Sequence, residues 1–177
     1  SNLLRLLAFQ IGGEVSSNEL ATQLGLNVRT IQHYLDLLEK SFVVFRLGGF
    51  SRNLRKEVTR GSKYYFFDNG IRNAVIAQFN RLGQRNDVGQ LWENFVIVER
   101  MKQLAYTSDP ANSYFWRTYD QQEIDWVEER GEELRALEFK WTRPNKLAAP
   151  KAWQSTYPGS DYAVITPDEY QDLLLPG

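Results

Sequence analysis

Hydrophobic positions near the start of the chain recur at helical spacing. Leu3, Leu4, Leu6, Leu7 and Ile11 form an apolar stripe that stops at Gly12-Gly13. Ser16-Ser17-Asn18-Glu19 reads as a capping box, with Ser16 as cap and Glu19 returning the bond. It opens a second helix that carries Leu20 and Leu24 and ends at Gly25. Asn27 then caps a third helix, Val28 to Lys40, whose buried stripe is Ile31, Leu35 and Leu38. Its other face shows Arg29, Thr30, Gln32 and His33. After Lys40 the period becomes two, from Phe42 to Leu47 and again from Lys63 to Asp68, with a basic loop between. A hairpin behind three helices is therefore expected. Asp68-Asn69-Gly70 marks a turn, Ile71 to Leu82 a connecting helix, and Gly83 to Asp87 a linker.

The pattern then repeats in a different order. Leu91, Phe95 and Val98, widened by Trp92 and Val96, define a long helix from Gly89 to about Tyr106, with Glu93 among its apolar residues. Three strands follow, at about Ser113–Thr118, Glu123–Glu128 and Leu134–Trp141. A helix over Lys146–Thr156, a strand over Asp161–Thr166 and a terminal helix from Pro167 to Leu174 complete the chain. Strand alternation puts Ile124 and Trp126 on one face, with Glu123 and Asp125 on the other. In the next strand Leu137 and Phe139 oppose Glu138 and Lys140. If the apolar faces build a core, Asp125, Glu138 and Lys140 converge. Two carboxylates and an ammonium suit a hard divalent cation and a phosphate. On these strands alone a solvated surface ion pair is the favoured reading, and residues elsewhere in the chain change that.

Composition narrows the chemistry. The 177 residues are 42% hydrophobic and contain no cysteine and one histidine. Disulfides, thiolate metal sites, a cysteine nucleophile and a multi-histidine zinc site are excluded. No apolar run has transmembrane length and the N-terminus carries no signal peptide, so a cytoplasmic protein without membrane partners is expected. The opening and closing residues suggest a fragment of a longer protein. Charge is asymmetric: 11 basic against 6 acidic residues up to Gly83, and 10 against 16 beyond it. Two modules are expected, residues 1–82 and 83–177.

The first module resembles the winged-helix family in the order and length of its elements. Such domains place the third helix in the DNA major groove and the wing on the backbone. The resemblance implies nucleic-acid contacts from Arg29 and His33 on the helix and from Arg46, Arg52, Arg55, Lys56, Arg60 and Lys63 on the wing. Winged helices also dock proteins, so both partners stay open.

The second module, a helix followed by three strands, resembles the PD-(D/E)xK nuclease superfamily, a restriction-endonuclease-like fold with a mixed central sheet flanked by helices. Glu93, Asp125 and Glu138-Phe139-Lys140 match that superfamily's acidic and lysine positions. The resemblance implies that Asp125 and Glu138, helped by Glu93, hold Mg2+ or Mn2+, and that Lys140 orients water for phosphodiester hydrolysis. Taken with Phe67-Asp68-Asn69-Gly70-Ile71-Arg72-Asn73, Trp92-Glu93-Asn94-Phe95-Val96 and Tyr114-Phe115-Trp116-Arg117, nearly the whole chain resembles the C-terminal region of a prokaryotic AAA-type ATPase family. The chain has no Gly-x-x-x-x-Gly-Lys-Ser/Thr loop, so ATP is expected only in a missing N-terminal ATPase module, which would also govern any oligomer. The expected function is a DNA-binding, metal-dependent DNase domain. The alternative is a non-catalytic nuclease-like domain acting in DNA or protein recognition.

Overall fold

The chain is a mixed α/β protein. The computed structural model describes residues 2–52, 61–108 and 110–175. Three of the residues expected on the wing, Arg55, Lys56 and Arg60, lie outside them.

The structure divides into two compact units, Ser1–Leu47 with Gly61–Val98, and Gly48–Arg60 with Glu99–Gly177. The sequence pattern puts a module boundary at Leu82. The structural units divide within one continuous helix, whose first half is tied to the strand before it.

In the first unit, α1 (Asn2–Phe9), α2 (Ser17–Leu24) and α3 (Val28–Lys40) follow the expected pattern. Ser16 Oγ accepts from Glu19 N and Asn27 Oδ1 accepts from Thr30 N, so both caps form. Gly25 closes α2 at φ 64°, a left-handed conformation open to glycine. Leu3, Leu7, Leu20, Ile31 and Leu35 are buried together in this unit's core. Between α1 and α2 lies β1 (Glu14–Val15), too short to carry a periodic signal. It pairs antiparallel with β3 (Ser62–Phe66), which neighbours β2 (Val44–Gly49).

The expected turn at Asp68 is a helix start. Asp68 Oδ1 accepts from Ile71 N and opens α4 (Asn69–Val75). Arg72 of α4 is buried, donates to Ala8 O, and pairs with Asp87, which Arg85 also holds. These contacts hold the Asp87 carboxyl well below the usual carboxylate range, Arg85 contributing most. The next helix, α5 (Val88–Tyr106), gives its first half to this unit. Asn94 fixes that half: its side chain accepts from Phe66 N and donates to Phe66 O, pairing with β3 as a strand would.

The second unit is built on β4 (Asn112–Arg117), β5 (Glu123–Arg130), β6 (Glu133–Phe139) and β7 (Asp161–Ile165), neighbours in that order. The pairs β4–β5 and β5–β6 are antiparallel and β6–β7 is parallel. Gly48 and Gly49, the end of β2, run parallel to Tyr114 and Phe115. One layer of core packs around Trp153 of α6 (Lys151–Thr156) and includes Phe50, Trp116, Ile124, Val127 and Ala136. The chain closes with α7 (Tyr170–Leu174).

One departure from strand periodicity matters for the site. Trp116 pairs with Ile124, but Tyr114 pairs with Val127. Two residues of β5, Asp125 and Trp126, therefore face the single residue Phe115 of β4. This is a β-bulge, a feature that re-aims side chains. Ile124 and Val127, of opposite parity, consequently both join the Trp153 cluster. Trp126, expected to share the face of Ile124, instead donates its indole N–H to Glu128. Glu128 is wholly buried and pairs with Arg100 of α5 at 2.6 Å and with Arg130 at 2.8 Å. Burial pushes the Glu128 carboxyl up, but the two guanidinium groups and the Trp126 bond outweigh it and bring it down to about 2.

Candidate metal and phosphate site

Asp125 follows directly from the bulge. It is 5% exposed, and its Oδ2 accepts a hydrogen bond from Phe139 N at 2.8 Å. That backbone amide lies between the two side chains that complete the group. Lys140 Nζ is 2.5 Å from Glu138 Oε1 and 3.7 Å from Asp125 Oδ2. The strands thus bring Asp125, Glu138 and Lys140 together as alternation anticipated, with the bulge setting the aim of Asp125.

The electrostatics are strained. The Glu138 side chain is 17% exposed. Burial, then the charge of Asp125, pushes its carboxyl up to about 7 despite Lys140. Its Oε2 is buried with no hydrogen-bond partner, an arrangement that carries a desolvation cost unless something occupies it. Burial and the same two carboxylates raise the Tyr162 phenol to about 12.

These residues fit a hard divalent cation of the magnesium or manganese type. Asp125 supplies a buried carboxylate and Glu138 a largely buried one whose Oε2 has no hydrogen-bond partner, and magnesium is usually held by one or two carboxylates plus water and phosphate oxygens. Among the described residues, no group of three or more His, Asp and Glu side chains is arranged to hold a metal ion. A cation here would need its remaining ligands from solvent or substrate.

Glu93 sits differently. It belongs to the first unit, where its Oε1 accepts from Tyr65 Oη at 2.7 Å and lies 4.0 Å from Lys63 Nζ. A Cβ on Gly12, whose φ is 76°, would meet the Glu93 carboxylate at 3.1 Å, so the glycine leaves room for it. Lys63 is 1% exposed. Expected as a phosphate contact on the wing, it is turned inward instead, toward the Glu93 carboxylate, and cannot reach a nucleic-acid backbone. Arg52 is exposed, but it pairs with Glu129 at 2.9 Å and Glu132 at 3.6 Å. Arg46 is exposed, as are Arg29 and His33 on α3. The same helix also exposes Tyr34 and Leu37.

A cleft of about 420 Å³ opens beside Glu138, lined also by Gln122, Glu123, Lys146, Lys151 and Tyr162. The sequence reading singled out neither lysine. The available signal was their place in the stretch 142–151, which holds three basic residues and no acid.

Residues 88–173 match the family model described as Domain of unknown function (DUF4143). Residues 1–82 match Domain of unknown function (DUF8612). Asp125, Glu138, Lys140 and the cleft all fall within the DUF4143 match, as does Glu93. Over 139 residues, 77% of this chain, it is 33% identical to an uncharacterized protein of Mycobacterium tuberculosis and to one of Mycobacterium bovis, covering 31% of each. An uncharacterized protein of Haemophilus influenzae is 23% identical over 99% of this chain and 40% of the relative. The chain spans 31 to 40% of the length of these curated relatives. No solved structure matches it.

Proposed function

We propose that the second unit is a metal-dependent phosphodiesterase acting on DNA. The observation that carries this reading is the Asp125–Glu138–Lys140 cluster, in which a buried Glu138 oxygen has no partner. A surface ion pair has no reason to sink two carboxylates against each other. Asp125 and Glu138 would hold the Mg2+ or Mn2+ ion. When bound, that ion supplies Lewis-acid stabilisation of the phosphate charge. Phe139 N fixes the Asp125 carboxylate in place. Lys140, 43% exposed at its side chain, reaches outward to offset the charge that grows on the phosphate oxygens. Water forms the new bond to phosphorus, a sugar oxygen leaves, and that oxygen takes up the proton.

The wider architecture follows the same proposal. Three helices followed by β2 and β3 support a winged-helix reading of the first unit, and helix-strand-strand-strand order supports a PD-(D/E)xK reading of the second. The resemblance to an AAA-type ATPase family carries with it an upstream module that would bind ATP and govern assembly, and the greater length of the relatives leaves room for one.

A second reading rests on α3. Its exposed face mixes Arg29 and His33 with Tyr34, Leu37 and an Asp36–Lys40 pair at 2.7 Å. That surface is less basic than a major-groove helix needs, and it favours recognition of a protein by the first unit.

Calorimetric titration of Mn2+ and Mg2+ into the wild type and Asp125→Asn, followed by nicking of supercoiled DNA, tests the proposal. Saturable binding and nicking that both vanish in the variant are expected. Absence of metal binding in the wild type would sink it.

A further inference from the structure

The cleft beside Glu138 has a charge pattern that the two-carboxylate site does not explain. Four charged side chains line it, and their pairings differ. Glu123 is neutralised by Arg117 at 3.8 Å and Glu138 by Lys140 at 2.5 Å. Lys146 and Lys151 are exposed, and among the described residues neither side chain makes an ion pair or hydrogen bond. The two acids that line the cleft are already paired with Arg117 and Lys140, so neither lysine side chain has a carboxylate partner there. Gln122 is held in place, since its Oε1 accepts from Ala152 N at 3.1 Å. Tyr162 adds a half-buried ring. The volume, about 420 Å³, lies within the range of ligand-binding clefts.

Lys140 already serves a phosphate at the carboxylates, so a single phosphoester needs neither Lys146 nor Lys151. Cations in the cleft beside the reacting centre match a ligand that carries further phosphates next to the one being cleaved. We propose that this cleft seats a DNA strand, with Lys146 and Lys151 on backbone phosphates neighbouring the phosphodiester at Glu138. The inference rests on the phosphodiesterase reading of Asp125, Glu138 and Lys140. It adds the substrate form, a continuous strand, and two strand-positioning residues. Both lysines are solvated, and their contacts are to phosphate, so their contribution is electrostatic and independent of sequence.

The test is binding of a short labelled DNA strand to the whole chain, by fluorescence anisotropy with calcium present, between about 50 and 200 mM salt. Each phosphate contact on a single strand adds about 0.7 to the slope of log affinity against log salt. The double variant Lys146→Gln/Lys151→Gln is expected to lose about 1.4 of that slope, with an unchanged melting temperature and unchanged Mn2+ binding by calorimetry. Lys146→Arg/Lys151→Arg is expected to keep the slope. An unchanged slope in the glutamine variant overturns the strand seat, as does a wild type that binds no strand. Loss of Mn2+ binding from the wild type itself would instead overturn the metal site, and the slope would still judge the cleft.

Discussion

The Asp125 carboxylate is held by the backbone amide of Phe139, 2.8 Å from Oδ2, in the peptide unit that joins Glu138 to Phe139. One residue thus has two separable duties: accepting that bond and supplying negative charge. Asp125→Asn keeps an oxygen for the amide and removes the charge. It is expected to melt close to the wild type while losing divalent-cation binding. Asp125→Ala also leaves the buried amide unpaired, at a cost of about 1–3 kcal/mol. Thermal melts of both variants, with and without Mn2+, check this. An alanine variant as stable as the asparagine variant would refute the tether.

Glu138 makes stability depend on pH in an unusual direction. Its carboxyl rises from 4.5 to about 7 on folding, chiefly through burial. Between those values the folded chain keeps a proton that the unfolded chain has lost. Stability therefore declines as pH rises across the interval. Without metal, wild type should melt lower at pH 7.5 than at pH 5, and Glu138→Gln should lose most of that dependence. Mn2+ should stabilise the wild type more at the higher pH, because the proton must leave before the ion binds. Parallel pH profiles for the two proteins would contradict the assignment.

Glu128 has the opposite sign. Its folded value is about 2 against 4.5 unfolded, so its contribution is complete above 4.5 and fades as pH falls toward 2. Arg100→Ala removes its principal partner and strands a buried carboxylate, at a cost of about 3–5 kcal/mol. Replacing Arg100 and Glu128 together by Met and Leu should recover much of that loss, since well-packed apolar residues often match a buried pair. Denaturant unfolding of the single and double variants measures the difference.

Glu93 is placed to serve the first unit through Tyr65 and Lys63. Glu93→Ala is expected to cost about 1–3 kcal/mol by leaving the Tyr65 hydroxyl without its acceptor. Mn2+ affinity should be nearly unchanged. A large drop in affinity at constant melting temperature would show that Glu93 helps to hold the ion.

Much of this molecule is legible in its residues, and most of the failures share a cause. The bounds of α3, the caps at Ser16 and Asn27 and the meeting of Asp125, Glu138 and Lys140 depend on neighbours in sequence or on simple alternation. Most of what was missed depends on distant partners. Glu128 looks like a polar residue facing water until Arg100, 28 residues away, buries it. Lys63 looks like part of a basic loop until Glu93 draws it inward. The bulge at Asp125 and Trp126 has no glycine or proline to announce it. Asp68 read as a turn because the Asn-Gly after it outweighed its role as a helix cap.

The extra residue in β5 also works as an insulator. Ile124 and Trp126 stand two apart, a spacing at which substitutions on a regular strand crowd the same neighbours. Here they feed different layers, Ile124 the Trp153 cluster and Trp126 the Glu128 network. Either layer can therefore be redesigned, or drift, without repacking the other, and the carboxylate between them keeps its bearing while its surroundings change.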